Sequence, residues 1–417
     1  MAASPVKSAF WSRIVGQREV RTHLAGSLRT EHAAHASLFS GPRGIGKAAV
    51  ALEFAALLLC DRDELAPCGI CPQCIASAKL QHPDLHFVFP LPPIRAKKKT
   101  ADDGAPGDSA EEDPTKALGD RVALLTSALA EDPYAPVVLP KVRGQKEKDE
   151  PRGKIDTLAI KIPQIRAMLR AASMKPFQAR RKVFVLAQAD TMTPEAQNAL
   201  LKVLEEPGPE AFFLLTTENE AGLLPTIRSR CQRVRMAPLP REEVVAALVS
   251  ENVPPKRAET AAALSSGSFS HARELAGSDL DTMQTHVIAY LRAAAVCDPL
   301  MLPAVSDALL ETGKLPESTA LELLGLFLRD VAVRRATNGP SAFPITFRNF
   351  EDPIRALLAS FPEADLDEAA KAVDQFAEYL ARGYTQDFVL YALAIRLHEA
   401  LGPRTATKSK IAQTKHA

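Results

Sequence analysis

The chain has 417 residues, of which 46% are hydrophobic, and its 51 basic side chains nearly balance its 50 acidic ones, for a formal net charge of +1. This length is typical of two or three domains. The balanced charge excludes a protein that is basic over its whole surface, so any contact with nucleic acid would be a local patch. The sequence has no apolar run long enough to span a membrane and no apolar signal-peptide core near its start, so we expect a cytoplasmic protein without a membrane partner.

The most informative stretch is 41–48, with the sequence GPRGIGKA, which follows an apolar segment, Ala36–Ser40, and precedes a helical pattern over 49–55. A strand, a glycine-rich turn and a helix form the setting of a phosphate-binding loop, in which backbone N–H groups and the helix N-terminus face the phosphates. The candidate phosphate-binding residues are Gly41, Gly44, Gly46 and Lys47.

One position of this loop lacks the expected side chain. A working loop has Ser or Thr after its lysine, because that hydroxyl binds Mg²⁺. Here the residue is Ala48, which has no oxygen to offer. We therefore expect ATP binding to be weak or absent.

An amphipathic helix is predicted before the loop, because Val20, Leu24 and Leu28 recur four residues apart. An adenine base could rest against this helix. Core packing is the simpler explanation for each of the three apolar side chains.

Four of the six cysteines lie within fifteen residues of one another, at Cys60, Cys68, Cys71 and Cys74. Four thiolates can surround Zn²⁺ tetrahedrally and leave no open coordination position, which predicts a structural zinc module over 60–74. The alternatives are a redox-active pair, Cys71 and Cys74, or buried cysteines that bind no metal.

The composition changes from about residue 92 to residue 153. Charged runs such as 97–99 and 146–150 surround little apolar sequence there. We predict a solvated, mostly disordered insertion with one helix near 115–131. The basic triplet at 97–99 could touch DNA, although a run of charges is usually only solvated.

Strands and helices alternate in the rest of the first 240 residues. Thr193 followed by Pro194 is typical of an N-cap and a first helical position. The predicted strands are 82–90, 181–188, 212–217 and 233–236, and the predicted helices between them are 162–169, 194–206 and 224–231. This alternation, opened by a phosphate loop, predicts a doubly wound α/β domain with a parallel sheet.

After residue 240 the sequence predicts helices alone. Apolar residues such as Leu321, Leu324 and Leu328 keep a helical spacing there. The predicted helices are 241–252, 255–265, one opened by 267–273, 280–296, 304–312, 317–335, 353–361 and 366–401.

Five features together resemble a known family. They are 15–17 (VGQ), the phosphate loop, the four-cysteine module, 198–207 (NALLKVLEEP) and 229–231 (SRC). This set resembles the clamp-loader subunits of bacterial DNA polymerase III, which are AAA+ proteins. The resemblance covers the chain except the insertion and the tail.

The resemblance implies an α/β AAA+ P-loop module with a parallel sheet and a zinc insertion, followed by an all-α lid and an all-α collar. The corresponding boundaries are 1–239 for the AAA+ module, 240–278 for the lid, 279–404 for the collar that oligomerises, and 405–417 for a flexible tail.

Motor subunits of that family carry magnesium-binding and water-activating carboxylates after the third strand and a sensor arginine in the second domain. The matching residues here are Ala187, Gln188 and Ser270, and Arg273 is out of register by three. Together with Ala48, these departures resemble the delta-prime, or stator, class of subunit. We expect no intrinsic ATPase activity. The chain would then contribute to an enzymatic reaction only as part of the polymerase holoenzyme.

The resemblance also implies a role for Arg230. In the family, the arginine of the Ser-Arg-Cys motif reaches a neighbouring subunit's ATP and stabilises charge on its γ-phosphate. The alternative is a solvated basic face made by Arg228, Arg230, Arg233 and Arg235.

The implied partners are the gamma/tau motor subunits and the delta subunit, with the sliding clamp and primed DNA reached through the complex. Two other functions stay open. The chain could be an autonomous AAA+ ATPase, either gamma/tau-like or a repair motor, although the missing carboxylates disfavour this. It could also be a zinc-dependent nucleic-acid-binding module, although the sequence lacks interleaved aromatic and basic residues.

Overall fold

A computed structural model describes ten parts of the chain. They are residues 13–30, 33–62, 66–92, 114–137, 158–208, 210–310, 317–337, 347, 350–381 and 384–402. The chain divides into two compact units: unit 1 is Met1–Val244 with Gly267–Ser270, and unit 2 is Val245–Ser266 with His271–Ala417. None of the helices among the described residues has the length and apolar character needed to cross a membrane.

A five-stranded sheet, parallel throughout, forms the centre of unit 1. Its strands are β1 (Ala36–Ser40), β2 (Leu85–Val88), β3 (Lys182–Leu186), β4 (Ala211–Thr217) and β5 (Gln232–Arg235). The spatial order is β2-β3-β4-β1-β5, with β1 between β4 and β5. The predicted parallel α/β sheet is therefore confirmed.

Helices cover both faces of this sheet. Those of unit 1 are α1 (Arg18–Arg29), α2 (Lys47–Leu59), α3 (Pro72–Ala78), α4 (Pro114–Glu131), α5 (Ile162–Ala172), α6 (Pro194–Glu205), α7 (Pro225–Arg230) and the start of α8 (Arg241–Ser250). Successive side chains of a strand point to opposite faces. Accordingly, Val183 and Val185 of β3 pack with α1 and α2, whereas Phe184 packs with α5, α6 and α7.

Two sequence signals set local structure as predicted. The Thr193 hydroxyl accepts a hydrogen bond from the Ala196 N–H and caps α6, with Pro194 at the first helical position. The helix near 115–131 is confirmed as α4. The predicted disorder is wrong for the residues just after α4, where Tyr134 is 6% exposed. The rest of the predicted insertion and the tail lie outside the described residues.

A buried carboxylate fixes the loop that precedes β3. Asp84, just before β2, accepts hydrogen bonds from the backbone N–H groups of Phe177 (2.6 Å), Gln178 (2.7 Å) and Ala179 (2.9 Å). Burial alone would raise the pKa of Asp84, but these three donors outweigh it and lower that pKa.

In its described residues, unit 2 is helical. Its helices are the rest of α8, α9 (Pro255–Leu264), α10 (Phe269–Gly277, from His271), α11 (Leu280–Val296), α12 (Leu302–Leu310), α13 (Glu317–Thr337), α14 (Glu351–Ser360), α15 (Leu366–Ala381) and α16 (Gln386–Leu401). The single helical stretch predicted over 366–401 is wrong, because α16 begins anew after its N-cap, Thr385. The division of the helical part into lid and collar stays a prediction.

Candidate nucleotide pocket, arginine finger and metal centre

The glycine-rich loop joins β1 to α2, as predicted, and two of its glycines have backbone angles that disfavour other residues. Gly44 has φ 74° and Gly46, the N-cap of α2, has φ 94°. Both values lie in the left-handed region, where a Cβ atom is strained. Gly41, at the end of β1, faces the Met236 carbonyl so closely that a Cβ would lie 2.4 Å from its oxygen.

Lys47 is satisfied inside this loop. Its Nζ donates hydrogen bonds to the carbonyl oxygens of Gly41 (2.9 Å) and Pro42 (2.6 Å), and it lies 3.7 Å from Oε1 of Glu218. Burial lowers the pKa of Lys47, and the nearby Glu218 partly opposes this shift. The ammonium group therefore bonds to the loop's own carbonyls where a phosphate-binding lysine would face a ligand.

Motor subunits of the family carry a magnesium-binding and a water-activating carboxylate after the third strand. The corresponding positions here have no carboxylate. Ala187 is 1% exposed and lies in an apolar cluster with Phe89, Leu125 and Leu129. Gln188 follows with a left-handed backbone, and its N–H donates to the Thr216 hydroxyl at 3.1 Å.

Asp190 is the nearest carboxylate to these positions in the chain, within the single turn Ala189–Thr191, and its Oδ1 is buried with no hydrogen-bond partner. The family's sensor position corresponds to Thr216 or Thr217, and the Thr216 hydroxyl accepts the Gln188 N–H in the turn after β3. These side chains therefore do not reproduce a hydrolytic centre.

Ser270, at the place of the family's sensor arginine, lies over the phosphate loop. Its N–H donates to the Gly44 carbonyl oxygen at 3.2 Å. Its hydroxyl donates to the Tyr134 carbonyl oxygen at 3.4 Å. A serine here can close the loop but offers no charge to a phosphate.

Arg230 is the last residue of α7, and two contacts hold its guanidinium. Nη2 lies 2.8 Å from Oε1 of Glu205, and Nη1 donates to the Thr226 carbonyl oxygen at 3.1 Å. The side chain is 35% exposed. The guanidinium is thus oriented by the helix end and by the last residue of α6, yet it stays accessible from solvent.

The neighbouring arginines do not share one environment, contrary to the alternative of a uniform solvated face. The Nε of Arg228 is buried. Arg233 lies on β5 with its Nη1 3.9 Å from Oε2 of Glu220. Arg230 pairs with Glu205 of the 198–207 segment.

The four predicted zinc ligands come together. The sulfur atoms of Cys60, Cys68, Cys71 and Cys74 all lie within 4.8 Å of one another. Two Sγ pairs, Cys60 with Cys71 and Cys68 with Cys74, are 4.0 and 3.9 Å apart. In a tetrahedron with Zn–S bonds of about 2.3 Å the sulfurs are ~3.8 Å apart, so this donor set fits Zn²⁺.

The local structure of the cluster also suits a metal. Cys71 caps α3, and its Sγ accepts a hydrogen bond from the Cys74 N–H at 3.4 Å. The hydrogen bond with Cys74 lowers the pKa of Cys60 to about 5, whereas burial raises the pKa of Cys71 and the hydrogen bond with Cys60 raises that of Cys74. A thiolate is the form that binds metal.

The two nearby histidines are outside this cluster. His82 is 2% exposed and hydrogen-bonds Gln73 through Nε2 and the Asp84 N–H through Nδ1. His86 stacks on Phe184 with ring centroids 4.7 Å apart. Both therefore have structural roles in and beside β2.

Sequence reasoning missed two residues of the site. Tyr134 lies against the phosphate loop although it falls in the charged insertion, and nothing in its local sequence predicts that position. Glu205 belongs to the 198–207 segment, but its pairing with Arg230 depends on how α6 and α7 pack together, which the local sequence does not specify.

Comparison with known proteins identifies the family. The family model described as "DNA polymerase III, delta subunit" matches residues 16–240. The delta-prime subunit of Bacillus subtilis DNA polymerase III is 27% identical over 242 residues, which is 58% of this chain and 54% of the relative. That of Pseudomonas aeruginosa is 29% identical over 288 residues, 68% of this chain and 64% of the relative. The matches thus span less than two thirds of either relative's length.

Two solved structures are similar at low identity. A gamma-subunit-related protein of DNA polymerase III from Thermotoga maritima is 13% identical, with 91% of this chain and 100% of that chain covered and a TM-score of 0.39. The DNA clamp loader delta protein of Bacillus subtilis is 11% identical, with 91% and 99% covered and a TM-score of 0.26. On the sequence matches, the chain belongs to the DNA polymerase III delta-subunit family, and its predicted resemblance to the delta-prime subunits of the clamp loader is confirmed.

Proposed function

We propose that this chain is a stator subunit of a DNA polymerase III clamp loader, which does not hydrolyse ATP and presents Arg230 to the nucleotide of a neighbouring motor subunit. The observation that carries the proposal is the environment of Arg230, an accessible guanidinium held by Glu205 in a domain without hydrolytic carboxylates at the family's positions. Such a domain can contribute charge to a partner's reaction but cannot carry out its own.

The geometry of Arg230 suits a trans-acting role. The guanidinium has five N–H donors in a fixed fork, and the contacts with Glu205 and Thr226 engage Nη2 and Nη1 once each. The remaining donors are available to the oxygens of a γ-phosphate. Because the side chain is already oriented, less conformational entropy is lost when it meets the phosphate.

The proposed partners are the gamma/tau motor subunits and the delta subunit, with the sliding clamp and primed DNA met through the assembled ring in the cytoplasm. An exposed apolar stripe on and just before α16 supports a helical contact with such partners. Its members lie three or four residues apart, at Tyr384 (55% exposed), Phe388 (70%), Tyr391 (37%) and Ile395 (53%).

We assign a structural Zn²⁺ to the four-cysteine cluster. When bound, it would fix the loop 60–74 to the end of α2 by joining Cys60 to the other three thiolates. With four sulfur ligands it would have no open position for catalysis.

The test of the arginine's role uses the reconstituted clamp-loader complex. Arg230→Ala should leave assembly intact and reduce ATP turnover at the site it faces by roughly 10³-fold or more. Turnover of the whole complex should fall by that site's share, and clamp loading should fall with it. Arg233→Ala is the matched control, because Arg233 is an exposed arginine nearby in the chain that pairs with a different glutamate, Glu220. Unchanged turnover and clamp loading with Arg230→Ala would remove the proposal.

The alternative of an autonomous ATPase makes a different prediction. Phosphate release by the isolated chain, measured with primed DNA and Mg²⁺, should be at background. Robust release by homogeneous protein would replace the stator role with that of a motor.

A further inference from the structure

A short segment after α4 crosses the candidate nucleotide pocket. This covering segment, residues 132–137, belongs to the insertion that begins at about residue 92. Within it, the Tyr134 N–H donates to the Asp132 carboxylate at 2.9 Å, and the Ala135 N–H donates to the Asp132 carbonyl oxygen at 3.0 Å. These bonds form a tight turn that directs the tyrosine into the pocket.

The tyrosine hydroxyl makes a paired contact with one backbone residue. It accepts a hydrogen bond from the Val15 N–H at 2.9 Å and donates one to the Val15 carbonyl oxygen at 3.2 Å. A backbone N–H and C=O of this kind can equally receive an acceptor nitrogen and a donor amino group on the edge of a purine base. One hydroxyl, acting as both donor and acceptor, therefore satisfies two backbone groups of the kind that can recognise the edge of a purine.

The ring of Tyr134 covers the start of α2. A Cβ placed on Gly46 would lie 3.0 Å from the tyrosine ring and from its hydroxyl oxygen. The Phe269 and Tyr134 rings pack edge-on, with centroids 4.8 Å apart. Tyr134 is 6% exposed, so a ligand could reach Val15 and the Gly46 side of the phosphate loop here only by displacing the tyrosine.

The rest of the covering segment reaches the remaining parts of the pocket. The Ser270 hydroxyl donates to the Tyr134 carbonyl oxygen at 3.4 Å, and Nε2 of Gln188 donates to the Val137 carbonyl oxygen at 3.5 Å. The segment thus contacts Val15 before α1 and the phosphate loop. It also contacts Gln188 and Ser270, which stand where motor subunits have a catalytic carboxylate and the sensor arginine.

The helix that carries the segment packs on the same altered site. Leu125 and Leu129 of α4 are 2% and 0% exposed and pack with Ala187 and Phe89. A carboxylate in place of Ala187 would be buried among these apolar side chains without water, which is strongly unfavourable. The absence of a carboxylate at position 187 is therefore linked to the packing of α4 on this site.

We propose that the covering segment is an internal ligand of the nucleotide pocket, in which Tyr134 takes the place of the adenine base and excludes purine nucleotides from this subunit. The proposal goes beyond the assignment of Arg230 and does not depend on it. It gives this part of the insertion a function. It also predicts that the phosphate loop and the Val15 backbone groups, once the tyrosine is removed, still bind a nucleotide.

The test measures binding of ADP and of a fluorescent N-methylanthraniloyl ADP to the full chain by calorimetry and fluorescence, with and without Mg²⁺. Wild-type protein should show no saturable binding at millimolar ADP. Tyr134→Ala should bind ADP at least tenfold more tightly than wild type, and ADP should raise its melting temperature. Phe177→Ala, which removes an 81% exposed aromatic side chain of unit 1, is the control and should gain no ADP affinity.

Tyr134→Phe gives a second test if the alanine variant does not fold. It keeps the ring and removes both hydrogen bonds to Val15, so it should bind ADP more tightly than wild type and less tightly than Tyr134→Ala. Micromolar ADP binding by wild type would overturn the proposal. So would a folded Tyr134→Ala or Tyr134→Phe variant whose ADP affinity equals that of wild type.

Discussion

The carboxylate of Glu205, at the end of α6, lies 2.8 Å from the guanidinium of Arg230, at the end of α7. The two side chains are 49% and 35% exposed, so solvent screens their attraction. Their contact therefore contributes little to stability and instead restricts where the guanidinium points.

Glu205→Ala should distinguish the contribution of this ion pair to stability from its effect on the orientation of the guanidinium. Its free energy of unfolding should change by less than about 1 kcal/mol, because the pair is exposed. ATP turnover of the reconstituted complex should fall, but less than with Arg230→Ala, since the guanidinium is retained and only its orientation is lost. The neighbouring Glu206→Ala serves as control. Equal turnover in wild type and Glu205→Ala would show that the glutamate does not position the finger.

Ala187→Asp tests whether the pocket can regain its acid. The new carboxylate would lie in the apolar cluster with Leu125 and Leu129, so we expect a loss of stability on the order of 3 kcal/mol in denaturant unfolding and no ATPase activity. Gln188→Glu, at the half-buried adjacent position, should be tolerated. A stable, hydrolytic Ala187→Asp variant would contradict the packing described for α4.

Removal of the metal should loosen the 60–74 module. Purified protein should contain one zinc per chain by elemental analysis, and Cys74→Ser should lose the metal and melt at a lower temperature. Cys297→Ser is the control, because Cys297 lies outside the four-cysteine cluster. Metal-free wild-type protein with the same melting temperature as the zinc form would argue against a structural site.

Asp84 should make stability depend on acid pH. Its folded pKa is lowered below the unfolded value of about 3.9. Its contribution is therefore complete above that value and is lost as pH falls through the folded pKa. Asp84→Asn should lower the free energy of unfolding by about 1–3 kcal/mol at pH 7, because an amide cannot accept all three backbone N–H groups. The difference between variant and wild type should shrink in acid, which chemical denaturation at several pH values will measure.

Phe388→Asp tests the apolar stripe on α16. Since Phe388 is 70% exposed, the variant should fold with wild-type stability but fail to join the clamp-loader complex in size-exclusion chromatography. Leu300→Asp, an 88% exposed apolar residue before α12 in the same unit, should assemble normally. Normal assembly of Phe388→Asp would exclude the stripe as a contact.

Much of the fold follows from local sequence. Strand β3 is apolar after Lys182 and β4 is apolar up to its two final threonines, as is typical of strands buried on both faces. Thr193 and Pro194 marked the start of α6 by capping chemistry that needs no tertiary contact. The cysteine spacing likewise predicted a cluster whose sulfur atoms do meet.

The covering segment could not be predicted in the same way. Tyr134 is 119 residues from its partner Val15 in sequence, and the insertion that contains it has charged runs at 97–99 and 146–150 that suggest solvation. Leu125 and Leu129 have the four-residue spacing of a helix face, but that spacing does not say which surface the helix meets. The break between α15 and α16 was missed because both helices are amphipathic or apolar up to their ends.

A pocket that is closed by its own tyrosine has a consequence for the proposed ring. Its occupant is part of the same chain, so its effective concentration does not change with the supply of free nucleotide. Under this proposal the domain would keep one shape whether the cell is rich in ATP or in ADP. Motor subunits that change conformation between nucleotide states would then have a neighbour whose conformation does not change with nucleotide.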